Sequence, residues 1–514
     1  MIKTNSIFGH NNFLDYAYDR DVSFKDTADD LFRHINNFTD RKDLLSLYNY
    51  FEAVYDLPHS VSKQKIRQHL GRSYLFKQQK FKSRLRIWNI PRLIVLYGGL
   101  IYALFFATRK SESKTYSLII DNIEDPIELL RFEKLLNLFG SSNVLCVSRE
   151  RDVSSDFPNY NLINTKLFRN FFLKDVLSSI FHEIFSGIWT VLKVSINTRV
   201  NLFPIALQII HSYLNFKSIF ELNKAKYVIQ ERHYDTNAVK NYLFKKYGGI
   251  GAVTIQKNIF QNDPINWYMD IDILLSLGET GYEDMLTYGG LVRSVKPVGS
   301  MFMEALWFDK KMKKRMAVHL YQNENTIAFS KEKIFDLVIL GINTANEYGR
   351  LDSFNDFMSD YYSLAKWCAK LSIERPSYRI ALIHHASLKK DLIEEDILKR
   401  SNVEVLDKTL NSYEVAFSSK CAVTYGSTMG YELNAHGLDT FFVDPGYRCT
   451  FLPSKGNDVI DKMRITSYDD FARAIDEVLI DDRKFISNSE SSAWIMESSD
   501  VSKKIFNLLN TPRD

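Results

Sequence analysis

From Phe335 onward, short apolar runs alternate with longer stretches of helical spacing, and this alternation restricts the fold more than any other feature of the chain. The series reads "FDLVILGIN", "FNDFMSDYYSLAKWCAKLSI", "YRIALIHH", "LKKDLIEEDILKR", "VEVLD", "CAVTYGS", a helix from Thr428, "TFFVD" and "DDFARAIDEVL". Apolar runs without polar alternation are strands buried on both faces, and a repeated strand, helix and strand pattern joins them in parallel with helices covering the sheet. An earlier series begins with "TYSLIID", "PIELLRFEKLLNLFG" and "NVLCVS", and resumes with "AKYVIQER", "NAVKNYLFKKYGG", "IGAVTIQKN" and "DILLSLGE". The pattern predicts an α/β chain with two Rossmann-like domains facing a cleft, where ligands meet the carboxyl ends of the strands.

Residues 1–110 read as a helical N-terminal region, 111–310 as the first Rossmann-like domain, 311–490 as the second, and 491–514 as a C-terminal helix. A linker is expected from about Ser300 to Lys333. Between the two stretches of the first series lies a long apolar helical insertion, "FFLKDVLSSIFHEIFSGIWTVLKVSINTRVNLFPIALQIIHSYLNF". A second apolar run, Leu93 to Ala107, carries no charge and is flanked by "KQQKFKSRLR", Arg109 and Lys110. As a helix it covers about 22 Å, short of the roughly 30 Å hydrocarbon core of a bilayer. Packing inside a large domain and docking on a membrane surface through aromatic and basic residues are the two readings of these runs.

With 45% apolar and 25% charged residues the chain has the balance of a folded protein, and a formal charge of +4 over 514 residues gives no general case for nucleic acid. Cys146, Cys368, Cys421 and Cys449 lack metal-ligand or redox spacing, so a reducing cytoplasm fits. The N-terminal segment "MIKTNSIFGHNNFLDYAYDRD" lacks the apolar core of a signal peptide. The expected location is cytoplasmic, with a peripheral place on the inner face of the membrane.

Two stretches at predicted strand ends carry chemistry. In "CAVTYGSTMGYE" a strand feeds Gly426, and Ser427 and Thr428 stand at a helix start, where hydroxyls and free backbone N–H groups suit either a phosphate or an ordinary helix cap. In "YRIALIHHAS" a strand ends in His384 and His385, whose imidazoles can donate to a phosphate or a nucleotide.

Together these stretches resemble the nucleotide-binding half of bacterial GT-B glycosyltransferases of the surface-polysaccharide, sialyl- and Kdo-transferase type, over roughly residues 225 to 480. In that family a strand ending in His-Pro and a later Ser/Thr turn followed by an acid hold a cytidine nucleotide. The resemblance implies donor binding by His384 or His385, Gly426, Ser427, Thr428 and Glu432; Ala386 stands where proline would be, which leaves the choice of histidine open. The segments "YVIQERHYDTNAVKNYLFKKYGGIGAVTIQKN" and "DILLSLGETGYEDMLTYGGLVRSVKPVGS" are similar to the family's acceptor domain and interdomain element.

The implied activity is transfer of a sugar, an acidic one carried on CMP, to a cell-surface polysaccharide or lipopolysaccharide acceptor. The partners would be a nucleotide-sugar donor, a free or lipid-linked glycan and the membrane surface, without nucleic acid and without a bound cofactor. A CDP-glycerol or CDP-ribitol polyol-phosphate transferase and a non-catalytic nucleotide-sugar or glycan-binding partner are the alternatives.

An inverting transfer needs a base at the acceptor hydroxyl. Asp235 or Glu231, with His233 as partner, follow a predicted strand end, although Asp235 or Thr236 equally suit the cap of the next helix. No Asp-x-Asp lies on a loop suited to a metal, since "DID" at Asp270 to Asp272 reads as the polar entry of a strand. Metal-independent catalysis is therefore expected, with Arg448 as a further cation near the donor.

Overall fold

A computed structural model describes residues 24–75, 113–123, 126–148, 161–164, 172–230, 232–233, 236–259, 267–308, 333–341, 354–385, 392–407, 410–447, 452, 458–481, 483–485, 490 and 493–511. The first series supplies β1 (Lys114–Thr115), β2 (Leu118–Ile123), β3 (Val144–Ser148), β4 (Asn161–Asn164), β5 (Asn223–Lys224), β6 (Tyr227–Gln230), β7 (Gly251–Ile255), β8 (Asp270–Ser276) and β9 (Leu291–Pro297). Seven of these form one sheet in the order β4-β3-β2-β6-β7-β8-β9. All neighbours in it are parallel. Strands β1 and β5 make a small parallel pair of their own.

The second series supplies β10 (Phe335–Leu340), β11 (Ile380–Ile383), β12 (Glu404–Leu406), β13 (Ser419–Thr424), β14 (Thr440–Val443) and β15 (Arg464–Ile465). Their order is β12-β11-β10-β13-β14-β15, again all parallel. Counted along the chain, this second sheet runs 3-2-1-4-5-6, the Rossmann order, and the first repeats it with one strand added. Strand direction of progress reverses between β10 and β13 and between β2 and β6, and the crevice outside those strand ends is where such sheets take ligands. Leu340 pairs with both Ile383 and Thr424, so β10, β11 and β13 end level with one another.

The N-terminal helices Phe24–Thr39, Leu45–Tyr55 and His59–Leu75 share one core with the first sheet. Ile35, Phe51 and Tyr55 pack in the same apolar cluster as Ile119, Val228 and Phe244. The Gln64 and Gln68 amides both donate to the Tyr268 carbonyl, at 2.9 and 2.8 Å, giving partners to backbone that the sheet leaves unpaired. The C-terminal segment also returns to the first domain. Its helix, Val501–Asn510, packs on Pro126–Phe139, with the Phe139 and Phe506 rings 4.9 Å apart, and Met496 N–H donates to the Leu277 carbonyl at 2.9 Å.

The expected long apolar insertion takes a different form. It is a helical path of Leu173–His182, a π-helical turn Glu183–Gly187 and Ile188–Thr198, followed after a left-handed residue, Arg199, by Phe203–Leu222. The last helix is buried on most of its surface, which explains its apolar residues on more than one face. Among the described residues no helix is long and apolar enough to cross a membrane. Leu93 to Ala107 lies outside the described residues. The expected linker begins as structure: Ser300 caps the short helix Met301–Met303, and Met301, Met303 and Leu306 join the core.

Candidate functional site

At the carboxyl edge of the second sheet three strand ends come together. Gly341, directly after β10, donates its N–H to the Ile383 carbonyl at 2.9 Å. A Cβ there would lie 3.0 Å from that oxygen and 3.1 Å from the His384 Cα, so glycine lets the two backbones approach. The histidines after β11 part ways. His384 turns back toward the helix Leu392–Lys399, its Nδ1 3.6 Å from the Glu394 carboxylate, which also accepts from the Tyr361 hydroxyl at 2.5 Å. His385 is the exposed one; protein walls around its ring make the charged form costly and pull its pKa below the ordinary imidazole value. The structure thus separates two histidines that sequence left equivalent.

One strand away, Thr424 ends β13 and the helix Thr428–Ala435 begins. Ser427 is its N-cap, in extended conformation, with Oγ accepting from Met429 N–H at 3.2 Å. The cap geometry leaves Ser427 partly open to solvent at the helix start. Two strand spacings separate this turn from His385, about 10 Å, a span suited to an extended nucleotide. The close approach that requires a glycine falls at Gly430, where a Cβ would meet the Phe442 ring at 2.7 Å; this presses the helix onto β14.

Thr428 and Glu432 do something else. Thr428 is buried, and its Oγ1 accepts from the Ile259 N–H at 3.0 Å, across to the loop that follows β7 in the first domain. Glu432 is 4% exposed. Its carboxylate accepts from the Ser300 hydroxyl of the first domain and from the Tyr413 hydroxyl of the second at 2.5 Å. Burial raises the Glu432 pKa, with the two hydroxyls opposing the shift. The residues expected to ring a donor therefore divide: Gly426 and Ser427 form the turn, while Thr428 and Glu432 bind the domains to each other.

On the first domain's side, His233 was expected at the cleft and is instead fully buried. Its Nδ1 accepts from Lys257 N–H at 3.0 Å, so the ring supplies an acceptor to backbone beyond the end of β7. Glu231 and Asp235 lie outside the described residues. The cap of the following helix, Ala238–Lys246, is Asn237, whose side chain accepts from Lys240 N–H; capping is not a task left to Asp235 or Thr236. Asp272 of the "DID" run is buried, accepts from Ala252 N–H at 2.8 Å and lies 3.2 Å from Arg293, the structural strand residue expected. Arg448 lies outside the described residues. Among the described residues no cluster of His, Cys, Asp and Glu could hold a metal ion.

Sequence reasoning missed two features. Arg131 and Lys257 converge on the Phe302 ring, 3.6 and 5.7 Å from its centre, and line a small pocket with Gln256 and Ser300 at the end of β7. Lys240 is buried beside the switch point of the first sheet, where its Nζ donates to Asp121 at 2.7 Å and Gln230 at 2.6 Å. A signal for the second existed: Lys240 shares the helix face of Leu243 and Phe244, and a lysine on an apolar stripe needs a buried partner.

Two parallel sheets in Rossmann order, joined through the Thr428–Ala435 helix, define the class of fold. No protein-family model matches the chain and no curated protein does. Among solved structures, UDP-GlcNAc 2-epimerase from Neisseria meningitidis is similar at 10% identity with a TM-score of 0.42, over 77% of this chain and 99% of that one. The lipopolysaccharide outer core galactosyltransferase WaaB is similar at 12% identity and a TM-score of 0.41, over 77% and 98%. The wall teichoic acid polymerase TagF is similar at 12% identity and a TM-score of 0.42, over 84% and 97%. Likeness of this extent leaves the chemistry to the residues of the site.

Proposed function

We propose that the chain is a glycosyltransferase of GT-B type that takes a nucleotide-activated sugar at the carboxyl edge of its second sheet and transfers the sugar to a cell-surface polysaccharide or lipopolysaccharide acceptor. The observation that carries the reading is the placement of Gly341, His385 and Gly426–Ser427 on one strand edge, at the switch point of a sheet in Rossmann order. A donor phosphate there would meet the first-turn N–H groups, the Ser427 hydroxyl and the positive end of the helix dipole. The same donors would stabilise the leaving nucleotide without a metal. His385 would hydrogen-bond the nucleotide, and Glu432 would act indirectly, by holding the turn against the first domain. By the sequence resemblance the nucleotide is CMP, and the setting is the cytoplasmic face of the membrane.

Titration calorimetry with CMP, CDP, UDP and GDP tests the donor site, and Ser427→Asp tests the phosphate's position. Aspartate is as good an N-cap as serine, so the fold should hold, while its charge opposes a phosphate at the helix start. The expected result is selective binding of a cytidine nucleotide, weakened by roughly tenfold or more in Ser427→Asp, since a like charge nearby costs more than about 1.4 kcal/mol. Unchanged binding in that variant would remove the phosphate from this turn, and binding of UDP or GDP alone would replace the donor.

The base is tested at the acceptor side. Asp235 and Glu231 fall in sequence between β6 and the helix Ala238–Lys246. Asp235→Ala or Glu231→Ala is expected to leave nucleotide affinity intact and to slow sugar transfer by about 10²–10⁴-fold. Transfer at the wild-type rate in both would assign the base elsewhere. Nucleotide binding without transfer to any glycan acceptor would favour the non-catalytic partner.

A further inference from the structure

The outer surface of the helical path 173–198 carries a line of large exposed apolar side chains, with nothing packed over it among the described residues. Leu173, Leu177, Phe181, Phe185, Trp189 and Ile196 are 37%, 51%, 59%, 67%, 66% and 56% exposed. The opposite side is tied into the protein: Val176, Val191 and Val194 are buried, and Glu183 accepts from the hydroxyls of Tyr55, at 2.7 Å, and Tyr50. Gly187 makes room for that cluster, since a Cβ there would run into the Glu183 carboxylate and the Tyr50 hydroxyl.

The line is kept straighter by the backbone. Side chains four residues apart drift about 40° per step around a helix of 3.6 residues per turn, so four steps from Leu173 to Trp189 would turn roughly 160° away. The π-helical turn Glu183–Gly187 is wound more loosely and takes back about half of this drift, which keeps Phe185 and Trp189 on the side of Phe181. The Phe181 and Phe185 rings lie 4.6 Å apart on that side.

Charge selects the occupant. The exposed charged residues along this path, Lys174, Lys193 and Arg199, are all basic. Of its acids, Asp175 is paired with Lys217 at 2.6 Å and Glu183 is buried beneath. An aromatic and aliphatic line whose own exposed charges are all cations, with the nearby Asp43 paired to Arg41, complements a surface that is apolar inside and anionic outside, as a bilayer with acidic headgroups is.

We propose that this face docks on an anionic lipid surface, with the path lying in the membrane plane, Phe181, Phe185 and Trp189 inserted among the acyl chains, and Lys174, Lys193 and Arg199 at the headgroups. The proposal stands on this face alone and does not depend on which nucleotide the second sheet binds.

The test is flotation of the full-length protein with vesicles of phosphatidylcholine alone or mixed with phosphatidylglycerol, for the wild type, Phe181→Ser/Phe185→Ser/Trp189→Ser and Lys174→Glu/Lys193→Glu. Exposed substitutions of this kind leave the fold nearly unchanged, which thermal unfolding verifies. Binding to the anionic vesicles, reduced roughly tenfold or more in either variant and weakened by salt, is the expected outcome. Wild-type protein that stays at the bottom of the gradient overturns the proposal. So does binding that survives both variants, which would place the lipid contact elsewhere on the chain. A wild-type dimer that the aromatic variant converts to monomer, without vesicle binding, would make the face a protein interface instead.

Discussion

Lys240→Met is expected to lower the stability of the first domain by about 3–5 kcal/mol, the usual consequence of removing one partner from a buried ion pair. The Lys240 side chain is 1% exposed and that of Asp121 is 0% exposed, with 2.7 Å between Nζ and Oδ2. Methionine keeps the packing of the aliphatic stem, so the loss isolates the charge. It removes the Lys240 ammonium from the buried Asp121 carboxylate and from the Gln230 amide oxygen. The double variant Lys240→Met/Asp121→Leu should recover much of the loss, because a buried pair exchanged for apolar groups of similar size is often neutral. Denaturant midpoints for the wild type, Lys240→Met, Asp121→Leu and the double variant measure the coupling. A single variant that loses less than about 1 kcal/mol would mean that the pair contributes no more than an exposed one.

Glu432→Leu is expected to cost about 2–4 kcal/mol, since it leaves the Ser300 and Tyr413 hydroxyls inside the protein without their acceptor. It should also weaken nucleotide binding, because the turn at Ser427 would lose its fastening to the first domain. The same residue predicts a pH dependence. Its folded-state pKa is raised above the ordinary 4.5, so the folded protein keeps a proton that the unfolded chain has lost. The unfolded state then binds fewer protons, and stability falls as pH rises from about 4.5 through the raised value. Glu183, raised by burial in the same sense, adds a parallel slope. Subtracting the unfolding midpoints of Glu432→Gln from those of the wild type across this range isolates Glu432. A difference that grows in favour of the wild type with rising pH would contradict the assignment.

The elements of the second domain were readable because its inner strands β10, β11, β13 and β14 are buried along nearly their whole length and so appear as unbroken apolar runs. "FDLVIL" became Phe335–Leu340, "CAVT" lies in Ser419–Thr424 and "TFFV" is Thr440–Val443. The strand ends, and with them the turn at Gly426–Ser427 and the histidine pair, followed directly. The apolar insertion was readable as helical but not as divided, because its interruption uses a π-helical turn, which has no strong residue preference, and a left-handed position held by Arg199 in place of the glycine that usually marks one. The roles of His233, Thr428 and Glu432 were not readable, and for Lys240 the apolar stripe showed only that a buried partner was needed, not which. Each depends on a partner far along the chain: Lys257 for His233, Ile259 for Thr428, Ser300 for Glu432 and Asp121 for Lys240.

By itself the sequence determined the two alternating α/β series, their parallel strands and the edge on which polar residues gather, since hydrophobic periodicity and turn residues act locally. The tertiary structure alone decided which of these polar side chains lie at the surface and which are buried. His385 is exposed and Ser427 partly so, while Thr428 and Glu432 are buried against groups of the first domain. The physical reason is that a buried polar group must find a partner or lose its solvation energy, and the partner is supplied by whichever distant segment packing brings within hydrogen-bond reach.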